Sequence, residues 1–171
     1  RQMCIRDRAN GMRVAHLSDT SRIIPTFTEV RPTFVMVVPR VLEKIVTAVG
    51  KKAEAKKLGK VWADAHAVAE RVGALRESVN EFDMPSLPFV LKAKHALYDR
   101  MFYSKIREML GGNMLYVLCG GAKLQRDLAL AFRGFSIPVI EGYGLTETTA
   151  PLAANLPGDL KACLLYTTDA A

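Results

Sequence analysis

The chain has 171 residues, half of them hydrophobic and about a quarter charged, which is enough to bury the core of one soluble globular domain. No apolar run reaches the roughly 20 residues that span a bilayer, and the amino-terminal RQMCIRDR lacks the apolar core of a secretory signal. The net charge of +7 suits an anionic partner such as nucleic acid or a membrane surface, unless acidic residues elsewhere in a longer parent balance it.

Much of the positive charge lies in one lysine-rich run, Lys51–Lys60. Its Lys/Ala/Glu pattern is typical of a solvated helix face. A surface for single-stranded nucleic acid needs aromatic residues among the lysines, and this run contains none. We therefore expect no nucleic-acid partner. A peripheral contact between this basic face and a membrane stays open.

The chain contains three cysteines, at positions 4, 119 and 163, and their spacing matches neither a CxxC motif nor a metal-binding motif. Cys119 falls on a predicted strand, where we expect a buried, reduced thiol. This pattern favours a reducing, cytoplasmic location.

The amino-terminal third is predicted to contain a short strand at Arg13–Ala15 and a short helix around Ile23–Phe27. Thr33–Val38 is continuously apolar and rich in β-branched residues, which indicates a strand buried on both faces. Pro39 suits the first position of the following helix, and Gly50 is a candidate for its end. The apolar stripe of this helix consists of Val41/Leu42, Ile45 and Val49.

The middle of the chain is predicted to be helical. Residues 51–85 show an apolar stripe at steps of three and four residues, although Gly73 weakens this pattern. A break at residues 83–88 precedes a second long helix, which begins near Val90 and ends at Gly111-Gly112.

The last third alternates strand and helix in the α/β manner. A strand at Met114–Cys119 is followed by a glycine-rich turn, a helix that ends at Gly134, and a strand at Ile137–Ile140. A strand–helix–strand unit implies a right-handed crossover and parallel strands. Because ligands of open α/β folds collect at the carboxyl ends of strands, the segments after the two strands are predicted to form one site.

The segment after the second strand reads EGYGLTET, at residues 141–148. Its glycines allow a backbone to approach a ligand closely, its tyrosine offers a ring to a base, and its hydroxyl and carboxylate groups are oxygen ligands of the kind that Mg²⁺ prefers. These are the parts of a nucleotide site. The alternative is a polar turn that caps a helix, with the tyrosine as a core aromatic residue.

This segment resembles the adenine and Mg²⁺ motif of the adenylate-forming superfamily, which includes the acyl-CoA synthetases. Residues 119–124, CGGAKL, resemble the family's Gly-Gly-Ala turn, and residues 31–44, from RPT to VPRVLEK, resemble the bacterial long-chain fatty acid–CoA ligase branch. Three motifs in the family's order are far more specific than one. Lys123 departs from the proline often found at that position.

The resemblance implies the fold class: α/β, part of the large amino-terminal domain of an adenylate-forming enzyme, with a mostly parallel sheet, flanking helices and a helical insertion. The insertion either favours a fatty acid substrate or is only structural. We assign residues 10–162 to a fragment of this AMP-binding (adenylation) domain. We expect residues 1–9 and 163–171 to be non-native, because they resemble translated sequencing-adaptor sequence.

The implied activity is that of an ATP-dependent long-chain fatty acid–CoA ligase, which forms an acyl-adenylate and then a thioester. Fatty acid, ATP and CoA are the implied substrates, and Mg²⁺ is the implied metal. The implied nucleotide-binding residues are Gly120, Gly121, Ala122, Gly142, Tyr143, Gly144 and Thr146. Tyr143 would lie against the adenine ring, Thr146 would bind a phosphate oxygen, and Glu147 would bind Mg²⁺, so that Thr146 and Glu147 form the catalytic pair.

Several parts of the family's machinery are not found in this sequence: the phosphate loop, the ribose-binding aspartate and the carboxy-terminal lysine. We therefore expect the chain to be inactive alone. Two alternatives stay open, another adenylate-forming ligase for aryl or medium-chain acids and a basic helical module that binds nucleic acid or membrane. The expected location is cytoplasmic, with the inner face of the membrane left open.

Overall fold

A computed structural model describes residues 15, 22–77, 87–144 and 151–154. The elements, in chain order, are α1 (Ile23–Val30), β1 (Phe34–Val37), α2 (Pro39–Ala55), α3 (Gly59–Glu77), α4 (Phe89–Tyr98), a π-helical turn (Asp99–Tyr103), α5 (Ser104–Met109), β2 (Tyr116–Cys119), α6 (Arg126–Gly134), β3 (Val139–Gly144) and β4 (Pro151–Ala154). No helix within these residues is both long and apolar enough to cross a bilayer.

The sheet has the strand order β1-β2-β3-β4. Strands β1, β2 and β3 are parallel, and β4 runs antiparallel to β3. The predicted mostly parallel sheet with flanking helices is therefore confirmed. Strand β2 is joined to β3 through α6, which buries Leu128, Ala131 and Phe132 in the core.

Strand β1 lies at the edge of this sheet and is buried on one face only. The side chains of Phe34 and Met36 are 49% and 63% exposed, while Val35 and Val37 are partly buried. The prediction of a strand buried on both faces was wrong. A continuous apolar run is compatible with burial of both faces of a strand. Whether both faces are buried depends on which other elements pack against the strand.

Helix α2 begins at Pro39, as predicted, and buries Leu42, Ile45 and Val49. It does not end at Gly50 but continues to Ala55. The Cβ position of Gly50 is 3.1 Å from the Trp62 indole nitrogen on α3, so the close approach of α3, rather than a helix end, accounts for this glycine.

The helical prediction for residues 51–85 holds for residues 51–55 and for Gly59–Glu77 but not for the turn between them. A turn separates α2 from α3, and Lys57 in this turn has a left-handed backbone conformation with φ of 59°. The lysines of the Lys51–Lys60 run are nevertheless exposed, as predicted. Residues 78–86 lie outside the described part of the chain, as does the predicted strand at Arg13–Ala15 except for Ala15, which is not in a strand.

The second long helix is confirmed from Phe89 to Met109, with a π-helical turn in its middle. The buried hydroxyl of Tyr103 in this turn donates a hydrogen bond to the carbonyl oxygen of Ala65, at 2.6 Å. Arg107 donates to both carboxylate oxygens of Asp99 and to the carbonyl oxygen of Phe135. The hydrogen bond from Arg107 lowers the pKa of Asp99. These polar contacts tie the long helix to α3 and to the loop before β3.

Strand β3 is longer than predicted. The sequence indicates a strand that stops at Ile140, whereas the structure continues it through Gly144. The extension pairs with β4, which matches Gly142 with Ala154 and Tyr143 with Ala153. Glycines weaken a strand on their own, so backbone pairing with β4 stabilises a conformation that the local sequence does not favour.

Candidate functional site

The carboxyl ends of the three parallel strands meet at one edge of the sheet. Val37, Cys119 and Glu141 are paired across β1, β2 and β3 and form one row. The backbone amide of Gly120, just past this row, donates a hydrogen bond to the carbonyl oxygen of Val37, at 3.2 Å. The segments that directly follow this row are the ones predicted from the sequence to form the ligand site. Open α/β sheets bind ligands at such an edge.

The two glycine-rich segments touch through Gly120 and Gly142. A Cβ atom added to Gly120 would lie 3.1 Å from the carbonyl oxygen of Gly142, and one added to Gly142 would lie 3.4 Å from Leu118 Cδ1. Gly121 has φ of +78°, a conformation that a side chain disfavours. Glycine is thus needed here for close backbone approach and for the turn itself. The structure brings together the two segments that the sequence predicted to converge.

Three further predicted residues at this edge, Ala122, Tyr143 and Gly144, are exposed. Ala122 is exposed, and the ring of Tyr143 is 39% exposed at the surface of β3. Gly144 follows in an exposed position, where the pairing with β4 is irregular between Tyr143 and Gly144. An accessible aromatic ring between two glycines offers a flat apolar surface to a planar ligand. The alternative of a core aromatic residue at position 143 is therefore wrong.

The row also contains a feature that sequence reasoning did not assign, the buried carboxyl group of Glu141. It is 5% exposed and lies in register with the buried thiol of Cys119. Burial, and secondarily the charge of Glu141, raises the pKa of the Cys119 thiol to about 11. The prediction of a buried, reduced Cys119 is confirmed. A carboxylate directly after an apolar strand was the signal that could have identified Glu141.

The predicted catalytic pair, Thr146 and Glu147, lies outside the described residues. The phosphate and Mg²⁺ roles of these side chains therefore stay predictions. Across residues 22–77 and 87–144, no group of three His, Cys, Asp or Glu side chains is arranged to hold a metal ion.

A family model described as AMP-binding enzyme matches residues 9–168. The chain belongs to the AMP-binding enzyme family. The assigned domain limits of residues 10–162 and the assignment of the two ends stay predictions.

Curated relatives of this family member include long-chain fatty acid ligases. The chain is 34% identical over 148 residues to Long-chain-fatty-acid–CoA ligase FadD15 of Mycobacterium bovis, covering 86% of this chain and 24% of that protein. The same values hold for FadD15 of Mycobacterium tuberculosis. Identity to Long chain acyl-CoA synthetase 4 of Arabidopsis thaliana is 27%, covering 83% of this chain and 20% of the synthetase. The chain thus spans about a quarter of the length of the FadD15 relatives.

A solved structure also resembles the fold of this family member. It is the A-PCP didomain of carboxylic acid reductase from Segniliparus rugosus in complex with AMP, with a TM-score of 0.50 and 22% identity. The match covers 82% of this chain and 15% of the reductase chain. At this identity the likeness supports the α/β fold alone.

Proposed function

We propose that this sequence is the nucleotide-binding part of an ATP-dependent long-chain fatty acid–CoA ligase. In the first step, a carboxylate oxygen of the fatty acid attacks the α-phosphorus of ATP, which forms the acyl-adenylate and releases pyrophosphate. In the second, the thiol of CoA attacks the acyl carbon and releases AMP, with loss of the thiol proton. The observation that carries the proposal is the contact between Gly120 and Gly142 at the carboxyl edge of parallel strands, in a chain of the AMP-binding family.

The proposed adenine site consists of the two glycine-rich segments. The turn at Gly120, Gly121 and Ala122 would line one side with backbone, and the accessible ring of Tyr143 would stack on the base. Thr146 would donate to a phosphate oxygen. Glu147 would bind Mg²⁺, which neutralises phosphate charge as pyrophosphate leaves. Little covalent chemistry falls to the protein, because positioning and charge neutralisation lower the barrier.

The long-chain substrate is proposed from the relatives, since the FadD15 proteins are named long-chain fatty acid ligases. A ligase for aryl or medium-chain acids is the second candidate, because none of the described residues is identified with an acyl pocket. Membership of an enzyme family favours both over the basic helical module. Because the chain spans 24% of the length of FadD15, we further propose that it acts only as part of a longer protein and makes no acyl-CoA alone.

The test is AMP formation by the full-length protein that contains this sequence. Palmitate, a medium-chain acid and an aryl acid are compared, each with ATP, Mg²⁺ and CoA. The variant Glu147→Ala is compared with Glu108→Ala, which removes an exposed carboxylate from α5.

We expect palmitate to be the best substrate, and Glu147→Ala to lower kcat by about 100-fold or more, as loss of a transition-state electrostatic group does. Glu108→Ala should behave as wild type. A preference for the aryl acid would contradict the proposed long-chain substrate but would still support an adenylate-forming ligase. AMP formation that survives Glu147→Ala would remove the metal role of Glu147, and no AMP from any acid would refute the proposed function.

A further inference from the structure

Helix α4, Phe89–Tyr98, is held in place by polar contacts of its inner face. His95 Nε2 lies 2.7 Å from the carbonyl oxygen of Gly134, and the Tyr98 hydroxyl donates a hydrogen bond to the Asp64 carboxylate on α3. Leu91, on the same face, packs against the core. These contacts fix the rotation of α4 about its axis and determine which side chains point away from the protein.

The opposite face of α4 is apolar and exposed. Phe89 is 85% exposed, Val90 68% and Leu97 58%, and Ala93 is exposed between them. Phe89, Ala93 and Leu97 are spaced by four residues and form one line along the helix, which Val90 widens. A surface helix ordinarily turns polar residues outward and apolar residues toward the core. We call these four residues the outer stripe of α4.

Basic side chains lie beside the outer stripe. Lys92, Lys94 and Arg100 are exposed, and the segment FVLKAKHALY contains no acidic residue. The Lys94 ammonium group is 3.4 Å from the carboxylate of Asp64, which also accepts the Tyr98 hydrogen bond, so the charges of Lys94 and Asp64 compensate each other and the net positive charge comes from Lys92 and Arg100. The outer stripe is therefore an apolar surface in a positively charged surrounding.

We propose that the outer stripe of α4 docks onto the surface of an anionic membrane. Helices that lie in the membrane interface combine an apolar face with flanking Lys and Arg. The apolar side chains enter the acyl boundary, while the long basic side chains extend to the headgroups. The contact does not depend on the proposed ligase activity, although it would bring the protein to the phase into which long-chain acids partition.

The charges disfavour a second copy of the chain as the occupant. In a two-fold contact the same patch meets itself. Lys92 and Arg100 would then face their own counterparts across an apolar centre, and like charges in such a contact repel. Lysine is also depleted from protein–protein interfaces. An anionic lipid surface offers an apolar acyl region to the outer stripe and negatively charged headgroups to the basic residues beside it.

Vesicle sedimentation of the full-length protein that contains this sequence, without ATP, fatty acid or CoA, tests the proposal. Vesicles of phosphatidylcholine alone are compared with equimolar phosphatidylcholine and phosphatidylglycerol. Phe89→Ser/Leu97→Ser shortens the outer stripe, and Met36→Ser/Leu115→Ser removes two similarly exposed apolar side chains elsewhere. Lys92→Glu/Arg100→Glu reverses two flanking charges, and Lys51→Glu/Lys52→Glu makes the same net change in the lysine-rich run.

We expect binding to the anionic vesicles only, weakened about tenfold or more by Phe89→Ser/Leu97→Ser and by Lys92→Glu/Arg100→Glu, since each basic residue near an anionic surface contributes about fivefold. The two control pairs should have clearly smaller effects. Circular dichroism of each variant checks that it folds, and all eight side chains are exposed.

Three results would overturn the proposal. The first is absence of binding to anionic vesicles by the folded wild type. The second is equal weakening by the two charge-reversal pairs, which would assign the attraction to net charge. The third is a concentration-dependent dimer that Phe89→Ser/Leu97→Ser abolishes, which would make a second copy the occupant.

Discussion

A Cβ atom added to Gly73 would lie 2.0 Å from the carbonyl oxygen of Leu130, which places helices α3 and α6 in direct backbone contact. The contact is reciprocal, since a Cβ atom added to Gly134 on α6 would lie 2.1 Å from the carbonyl oxygen of Ala69 on α3. Helix α6 connects β2 to β3. The two glycines thus set the distance between α3 and α6, the helix that joins two strands of the candidate site.

Gly73→Ala should destabilise the fold. The methyl group cannot fit against a backbone carbonyl, so the helices must separate, at a cost at the upper end of the 1–3 kcal/mol typical of overpacking, or about 3 kcal/mol. Gly134→Ala should act similarly, and the double variant should cost less than the sum because both widen one interface. Urea unfolding followed by circular dichroism measures these effects.

The control for this prediction is Gly59→Ala, at the start of α3. Its Cβ would lie 3.2 Å from the Cγ atom of Glu54, a side chain that can move. Alanine also favours helix over glycine by about 1 kcal/mol, so the free energy of unfolding should stay the same or rise. A Gly73→Ala protein as stable as Gly59→Ala would contradict the close packing of α3 and α6.

Tyr103→Phe should lower the free energy of unfolding by about 1–2 kcal/mol. Its hydroxyl is fully buried and donates to the carbonyl oxygen of Ala65, and removal of a buried donor leaves that acceptor less well satisfied. Burial also raises the pKa of Tyr103 well above its ordinary value, so this phenol should stay protonated in the folded protein. Thermal unfolding of the variant checks the first effect, and a gain in stability would disprove it.

The Cys119 thiol should make stability fall at alkaline pH. Its pKa is raised from 9 to about 11 by burial and by Glu141. Between these values the unfolded thiol loses its proton while the folded thiol keeps it, so the unfolded state binds fewer protons and stability declines as pH rises. The contribution is complete below pH 9 and is lost toward pH 11, with a slope of up to about 1.4 kcal/mol per pH unit.

The measurement compares urea unfolding of wild type and Cys119→Ala across this pH range. Other groups that titrate contribute to both proteins, so the difference between the two slopes isolates Cys119. The wild type should lose stability faster than the variant as pH rises above 9. Identical slopes would mean that the thiol is not held protonated by its surroundings.

Sequence patterns predicted where helices and strands lie better than which other elements pack against them. Leu42, Ile45 and Val49 identified the buried face of α2 because helical period reflects packing directly. The apolar run Thr33–Val38 did not indicate that Phe34 and Met36 are exposed, since the apolar composition of a strand does not show which of its faces is covered. Gly73 weakened the helix prediction, yet it lies within α3. A glycine occupies this position because the backbone of Leu130 leaves no room for a side chain, and the sequence does not show that contact.

The candidate site was predictable in position and less so in detail. The rule that parallel strands end at a common edge placed the turn at Gly120 beside Gly142, and the structure confirms this contact. The extension of β3 through Gly144 was not predictable, because it depends on pairing with β4. The burial of Glu141, which pairs with Cys119 on β2, was not predicted either.

The two glycine segments are proposed to form the adenine nucleotide site. The affinity of the full-length protein for AMP tests this proposal, measured by isothermal titration calorimetry for wild type, Gly120→Val and the control Gly59→Ala. The valine side chain would collide with the carbonyl oxygen of Gly142 and separate the two segments. We predict at least about tenfold weaker binding, or about 1.4 kcal/mol, for Gly120→Val alone. A folded Gly120→Val protein that binds AMP like wild type would contradict the claim.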